Sequence, residues 1–123
     1  MKLKDQVCAL EYSKRLEELG VKQDSLFYWE YYSEEANCII LSKERFSAIT
    51  KGASFYSSFT ASELGEMLPL WWDSGKRAEN DYICRVFEEN VTNCLNSFAE
   101  TEANARAKML IYLLENGLIK SET

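Results

Sequence analysis

The 123-residue chain contains no histidine, and this absence removes much of the usual enzyme chemistry. Ser-His-Asp and Cys-His arrangements use an imidazole as the base, so neither can be built here. The sequence also lacks the phosphate-binding G-x-x-x-x-G-K-[ST] loop, the dinucleotide-binding G-x-G-x-x-G turn and the G-x-S-x-G nucleophile turn. We therefore expect no catalytic residue, no cofactor-binding residue and no enzyme activity.

Closely spaced cysteine pairs are missing as well. Cys8, Cys38, Cys84 and Cys94 are far apart in the sequence, and none belongs to a C-x-x-C motif. Zinc sites usually need such pairs or histidine ligands, because short loops hold the ligands in tetrahedral geometry. We expect four reduced thiols, most of them buried, and no bound metal.

The sequence has neither a long apolar run nor a cluster of basic residues. No segment approaches the roughly 20 apolar residues of a membrane span, and the N-terminal residues mix acids and bases where a signal peptide would be apolar. Fourteen basic against twenty acidic residues leave a net charge of −6, which opposes binding to a phosphate backbone. We expect a cytoplasmic protein that binds neither membrane nor nucleic acid. A second interpretation stays open, in which an acidic surface imitates nucleic acid on another protein.

A chain of this length suits a single domain, residues 1–123, with a core that needs no metal or disulfide. The first helix is predicted from about residue 5 to residue 19, since apolar residues recur at spacings of four, four and three. These residues form one stripe: Cys8, Tyr12, Leu16 and Leu19. Gly20 supplies a left-handed stop, and Val21 is expected to fold back against the helix.

A short middle helix is predicted over residues 61 to 68. Thr60 is placed to cap it, and Glu63 completes a reciprocal capping box. Phe59 and Leu64 occupy the two positions of a hydrophobic staple, and Pro69 ends the helix.

The last helix is predicted to begin after Thr101 and to end before Gly117. Glu102 and Arg106 are four residues apart, in the order that favours an ion pair, and Leu118 is expected to fold back on the last turn. The apolar stripe consists of Ala103, Ala107, Leu110, Ile111 and Leu114.

Two antiparallel hairpins are predicted between the helices. The first joins residues 25–32 to residues 38–42 through the polar stretch SEEAN, and the second joins DYICRVFE to VTNCLNSFA. If residues 88–90 form the second loop, Cys84 lies opposite Cys94, where a disulfide would be strained.

Aromatic residues are concentrated in the first hairpin. Strand alternation puts Phe27, Trp29 and Tyr31 on one side, and Leu26, Tyr28 and Tyr32 on the other. We expect the first set to face the helices and the second to remain exposed, with the reverse assignment still open. Amphipathic rings on an open face are typical of partner sites.

Trp71 and Trp72 are adjacent, so on an extended segment one side chain is buried and the other is exposed. Beside Lys76 and Arg77 the two rings could stack a base or a sugar, although the acidic composition disfavours this alternative. The candidate interaction surface therefore comprises Tyr28, Tyr32, Trp71 and Trp72.

Four segments carry a resemblance: VCALE at 7–11, LEELGVKQDSLFYW at 16–29, FTASELGEMLP at 59–69 and TEANARAKMLIYLLENGLI at 101–119. In these segments the chain resembles a family of short uncharacterised proteins from gut anaerobes, their phages and integrated elements. The shared features are helices, turns and caps. The resemblance thus implies a common scaffold and a phage or mobile-element origin, but no catalytic or binding residue. A weaker likeness is to small phage domains that pack helices against a strand layer.

These observations predict an α+β fold. An antiparallel sheet of about four strands, built from two hairpins, carries the N- and C-terminal helices on one face, and a short helix lies in the middle. The leading functional interpretation is an accessory protein that binds an unknown protein partner, or a second copy of itself, through its aromatic surface. An acidic inhibitor that mimics nucleic acid is the alternative, and an enzyme is third. An apolar patch with a polar rim would favour the first, and a continuous negative stripe the second.

Overall fold

The computed structural model describes residues 2–31, 39–42, 54–69, 72–87 and 94–120. In these ranges the chain forms α-helices and β-strands in an α+β arrangement, so the predicted fold class is confirmed. The helices are α1 (Leu3–Gln6), α2 (Leu10–Glu18), α3 (Ala61–Met67) and α4 (Glu102–Glu115). The strands are β1 (Phe27–Tyr31), β2 (Ile39–Ser42), β3 (Ser54–Ser57), β4 (Trp72–Ala78), β5 (Asp81–Phe87) and β6 (Cys94–Ala99).

The described strands form two antiparallel sheets of three strands, where the sequence suggested one sheet of about four. Sheet 1 has the order β2-β1-β3, and sheet 2 has the order β4-β5-β6. Both predicted hairpins are present, as β1–β2 and β5–β6. Each gains a third strand, β3 or β4, whose sequences SFYS and WDSGKRA contain serine, glycine and charged residues of low strand propensity. Local composition therefore did not reveal them.

The predicted first helix is interrupted between α1 and α2. Val7 is extended and forms an isolated antiparallel bridge with Thr60. The N–H of Cys8 donates to the carbonyl of Phe59 at 2.9 Å. The backbone is thus hydrogen-bonded to a distant segment in place of its own helix, and helical periodicity carries no signal of such a contact.

The same interruption makes two further long-range contacts. The N–H of Ala9 donates to Oδ1 of Asn104 at 2.8 Å, across 95 residues of sequence. The carbonyl of Cys8 accepts a hydrogen bond from Nε1 of Trp29 at 2.9 Å. Residues 7–9 therefore join the start of the chain to β1, to the entry of α3 and to α4.

The predicted turn at the end of α2 and the predicted cap at the start of α3 are confirmed. Gly20 has φ = +89°, and Val21 is buried while its N–H donates to the carbonyl of Leu16 at 3.0 Å. At α3, the N–H of Glu63 donates to Oγ1 of Thr60 at 3.2 Å, and the N–H of Thr60 donates to Oε1 of Glu63 at 3.0 Å. The staple residues on either side of this cap, Phe59 and Leu64, are both fully buried.

The ends of α4 follow the prediction in the backbone but not in one side chain. The N–H of Asn104 donates to Oγ1 of Thr101 at 3.2 Å, and Gly117 has φ = +67°. The N–H of Leu118 closes the turn on the carbonyl of Leu113 at 2.9 Å. The side chain of Leu118 nevertheless remains 52% exposed, so its predicted return to the helix is wrong, and Ile119 packs against the core instead.

The α4 helix is buried on a wider face than the predicted stripe because elements contact it from two sides. It packs against sheet 2 and also contacts α2 and α3. Its buried residues are Ala103, Ala105, Ala107, Met109, Leu110, Ile111 and Leu113. The α2 helix also contacts β3 of sheet 1. The first and last helices therefore pack on different sheets, which corrects the prediction that they share one.

Candidate interaction surface

Tyr28, which was predicted on the exposed side of the first hairpin, is buried. It is 4% exposed, and its hydroxyl accepts from the N–H of Ser25 at 3.3 Å and donates to the carbonyl of Gln23 at 3.4 Å. Phe27 and Trp29, from the other side of β1, are half-buried. The prediction that Tyr28 is available to a partner is wrong, because the segment before β1 folds over its ring.

Tyr32 and Trp71 lie outside the described residues, and Trp72 is half-buried against α4. The guanidinium carbon of Arg106 lies 4.6 Å from the Trp72 ring centroid, a cation–π geometry. Trp72 is therefore held within the fold by its neighbour on α4.

Arg106 joins three elements. It donates to the carbonyl of Ala61 at the start of α3, and to Oγ of Ser74 on β4 at 3.1 and 2.9 Å. It also pairs with Glu102 at 3.3 Å, which confirms the predicted i,i+4 ion pair. This partly buried network accounts structurally for the polar groups near Trp72.

Cys8, Cys84 and Cys94 are free thiols, and Cys38 lies outside the described ranges. Burial raises the pKa of the Cys84 thiol to about 11, and burial likewise raises the pKa of Cys8. Both groups are thus protonated at neutral pH. In the described part of the chain, no group of three or more Cys, Asp or Glu side chains is placed to hold a metal ion.

The register of the second hairpin differs from the register that a three-residue loop at residues 88–90 would give. Cys84 lies opposite Ser97, and Cys94 lies opposite Phe87. The conditional alignment of Cys84 with Cys94 is therefore wrong.

Sheet 2 has an inner face covered by α4 and an outer face that α4 does not cover. Cys84 and Val86 on the inner face are buried, and Oγ of Ser97 donates to the carbonyl of Ala105 in α4 at 2.6 Å. Because directly opposed residues share a face, the register assigns the alternate residues to the outer face: Asp73, Gly75, Ala78, Asp81, Ile83, Arg85, Phe87, Cys94, Asn96 and Phe98. The pairing shifts between Lys76 and Ala78, so the register does not place Arg77. The contacts of Arg77 with Asp81 and Phe98 place its side chain on the same face.

The outer face has an apolar centre. Phe87 and Phe98 are 40% and 41% exposed, which is high for such large apolar side chains. Ile83 lies opposite Phe98 on the central strand and is half-buried. Phe87 lies four residues further along that strand, beyond Arg85. Gly75 lies next to Ile83 on β4, and a Cβ atom added there would meet nothing within 4 Å.

Two ion pairs flank this centre on the same face, one on each side along the strand direction. Arg85 binds Asp73 in a bidentate manner, with N···O distances of 2.8 and 2.6 Å, and these hydrogen bonds raise the pKa of Arg85. Arg77 lies 3.4 Å from the carboxylate of Asp81. The guanidinium groups also approach the rings, with Arg77 4.7 Å from the centroid of Phe98 and Arg85 5.5 Å from that of Phe87. The described charges of the outer face therefore sum to zero.

The outer edge of β6 is partly covered. Nζ of Lys108 on α4 donates to the carbonyl of Phe98 at 2.8 Å. Lysine at an edge strand opposes the addition of another strand, because it occupies a carbonyl that such a strand would use. This feature favours contact through the face of sheet 2 over contact through this edge.

Acidic side chains gather elsewhere, around a cleft of about 860 Å³ near the N-terminal ends of α3 and α4. Its acidic lining residues are Asp5, Glu79, Glu100 and Glu102. Glu79 pairs with Lys76 at 3.3 Å, and Glu102 pairs with Arg106. Two of the four acids of this cleft are therefore paired with bases, whereas nucleic-acid mimicry would favour an uninterrupted negative stripe.

A second depression, of about 520 Å³, has a mixed apolar and charged lining. It lies between α3, α4 and the segment after α2, and its apolar lining residues are Val21, Met67, Pro69, Leu110, Leu114 and Ile119. Lys22, Asp24, Glu66 and Lys120 complete its lining. Its mixed rim indicates no particular ligand charge.

The outer face was missed at the sequence level for a specific reason. Both alternate sets of β5, Tyr82-Cys84-Val86 and Ile83-Arg85-Phe87, contain apolar residues. Alternation alone could not tell which set α4 covers. The signal in the sequence was the charge of Arg85, which favours exposure of the set Ile83-Arg85-Phe87.

No helix in the described ranges is long and apolar enough to cross a bilayer. Comparison with known proteins finds no matching family model, curated protein or solved structure, so the geometry of sheet 2 is the basis for a functional assignment.

Proposed function

We propose that this chain is a small protein-interaction module that forms a protein–protein interface through the outer face of sheet 2. The observation that carries the proposal is the exposure of Phe87 and Phe98, at 40% and 41%, on the same face as Ile83. Exposed apolar patches with a polar rim mark partner sites on folded domains, and aromatic and arginine side chains are enriched in the centres of interfaces.

The wider role that fits such a module is that of a cytoplasmic accessory protein encoded by a phage or mobile element. Its support is the resemblance in four scaffold segments to proteins from phages and integrated elements. The proposal includes no catalytic step and no cofactor, because the chain lacks histidine and the common nucleotide-binding and nucleophile motifs.

Mimicry of nucleic acid has weaker support. It would require uncompensated carboxylates along one surface, whereas Glu79 and Glu102 in the acidic cleft are each paired with a base. The apolar centre of the outer face has no counterpart in a phosphate backbone.

The proposal is tested by capture of proteins from an extract of the native host, with the bait compared to variants of the outer face. Phe87→Ser combined with Phe98→Ser removes both exposed rings. Leu118→Ser is the matched control, since it removes an apolar side chain that is 52% exposed at the far end of α4. We expect a stoichiometric protein, including a second copy of the bait itself, to be retained by wild type and control and lost from the double variant. Equal retention by all three baits would refute the proposal.

A further inference from the structure

We infer that the partner of the outer face is a second copy of this chain, related by a twofold axis that runs across the strands of sheet 2. This inference rests on the proposed function, because it names the partner of the same surface. Its basis is the arrangement of charges around one row of residues.

That row consists of Gly75, Ile83 and Phe98. Gly75 lies opposite Ile83 on the neighbouring strand, and Ile83 lies opposite Phe98 on the next. The row therefore crosses all three strands of sheet 2 on its outer face. It contains no charge, and at Gly75 it has no side chain.

The charges lie on both sides of the row. Asp73, Asp81 and Arg85 lie two residues from it in the register, and Arg77 is the bulged residue of β4, held beside Asp81 by its ion pair. On β4, Asp73 precedes Gly75 and Arg77 follows it. On β5, Asp81 precedes Ile83 and Arg85 follows it. Each strand thus carries an acid on one side of the row and a base on the other.

A twofold axis along the row exchanges the two sides. It places Asp73 of one copy against Arg77 of the second copy, and Arg85 against Asp81. Each charge at these four positions then meets the opposite charge, and each contact occurs twice, as an isologous interface requires. The apolar centres meet on the axis, with Ile83 on Ile83 and Phe98 on Phe98.

The zero net charge of the outer face favours a second copy of this chain over a nucleic acid as the partner. The whole chain has a net charge of −6, so two copies repel one another on average. The outer face avoids this repulsion because its two bases balance its two acids. A nucleic acid would find both arginines already neutralised, and the counterion release that drives phosphate binding would be small.

The size of the face predicts a reversible dimer. Strands about 4.8 Å apart with a rise of about 3.3 Å per residue give a three-stranded, seven-residue face of roughly 300 Å². This is below the ~800 Å² per partner of a standard interface. Because the interface is small, the dimer is weak and its population should rise with concentration.

In such a dimer the two sheets would lie about 10 Å apart, with their strands within about 30° of each other.

The test is sedimentation of the purified full chain over a range from micromolar to millimolar concentration. We expect the average mass to rise from that of one chain towards that of two. A single-chain mass at every concentration would overturn the inference. Host-protein capture that still depends on Phe87 and Phe98 would then leave the proposed function standing with a different partner, and loss of that dependence too would refute both.

Charge exchange provides the decisive variants. Asp73→Arg with Arg85→Asp reverses one ion pair but keeps an opposite-charge pair within the chain. In a dimer about the proposed axis it sets like charges against each other, so we expect at least tenfold weaker association. Arg77→Asp with Asp81→Arg reverses the other pair and should weaken association equally.

An equimolar mixture of these two pair-reversed proteins restores every opposite-charge contact between copies. We expect the mixture to associate about as strongly as wild type, which a misfolded variant could not do. Leu118→Ser should associate like wild type. Undiminished association of either pair-reversed protein alone, or no association in the mixture, would overturn the proposed axis.

Discussion

At Gly65 the packing of α3 leaves no room for a side chain. A Cβ atom there would lie 2.9 Å from a ring carbon of Trp72 and 3.0 Å from Nη1 of Arg106. Neither group can move freely, because Arg106 is stacked on Trp72 and bonded to Ala61 and Ser74. The absence of a side chain at one helical position thus permits the contact between α3, β4 and α4.

We expect Gly65→Ala to destabilise the fold by up to about 2 kcal/mol. The gain in helix propensity is about 1 kcal/mol, and overpacking a filled site costs about 1–3 kcal/mol. Gly75→Ala is the control, since no atom lies within 4 Å of the added group, and it should change the free energy of unfolding by no more than about 0.5 kcal/mol. Urea denaturation in dilute solution measures both. A more stable Gly65→Ala protein would show that Trp72 is not held as described.

Among the elements, α3 is short and depends on its first turn. Its Thr60–Glu63 capping box satisfies first-turn and cap amides that would otherwise lack partners in the helix. At seven residues the helix has few internal hydrogen bonds with which to offset the loss of the cap.

We expect Thr60→Ala to lower the free energy of unfolding by about 0.5–2 kcal/mol. Glu66→Gln, an exposed change on the same helix, should stay within roughly 0.5 kcal/mol. Chemical denaturation of the two variants beside wild type checks the difference. Equal and negligible effects would mean that the cap contributes little to this fold.

The elements that could be predicted from the sequence are those determined by neighbouring residues. The capping box, Gly20, Gly117 and the strands of both hairpins belong to this group, because their signals lie within a few residues of the structure they specify. The interruption of the first helix at Val7 could not be predicted, since its hydrogen-bond partner is near Thr60.

For the candidate surface, the sequence predicted the kind of surface but not its location. An exposed aromatic patch on a sheet was expected in the first hairpin, but the patch that the structure describes lies on β5 and β6. Tyr28 is aromatic and yet buried, because a hydroxyl with local backbone partners can be accommodated inside. Which face of a strand is covered depends on tertiary packing, which alternation alone does not determine.

At the scale of the whole molecule, the two sheets contribute unequally to the core. The main cluster of buried side chains draws on α2, α3, β5 and α4, and it includes none of the residues 27–30 of β1 or 54–57 of β3, whose burial the structure describes. Sheet 1 contacts the helices mainly through β3 and α2. Fewer shared apolar contacts mean that a region opens at lower free energy.

We therefore expect amides of β1 to exchange with solvent more readily than those of β5, by at least about 1 kcal/mol in opening free energy. The two strands are a matched pair, because each is the central strand of a three-stranded sheet. Native-state hydrogen exchange in dilute solution, followed by mass spectrometry, measures the difference. Equal protection would indicate that the chain opens as one cooperative unit.

The contact between Ala9 and Asn104 also determines when part of the fold can form during synthesis. Ala9 is made 95 residues before the side chain that accepts its hydrogen bond, and at roughly 5–20 residues per second it waits for several seconds or more. Loop closure over such a separation is slow compared with the local folding of a helix or hairpin. Ala9 can thus complete this contact only after Asn104 has left the ribosome.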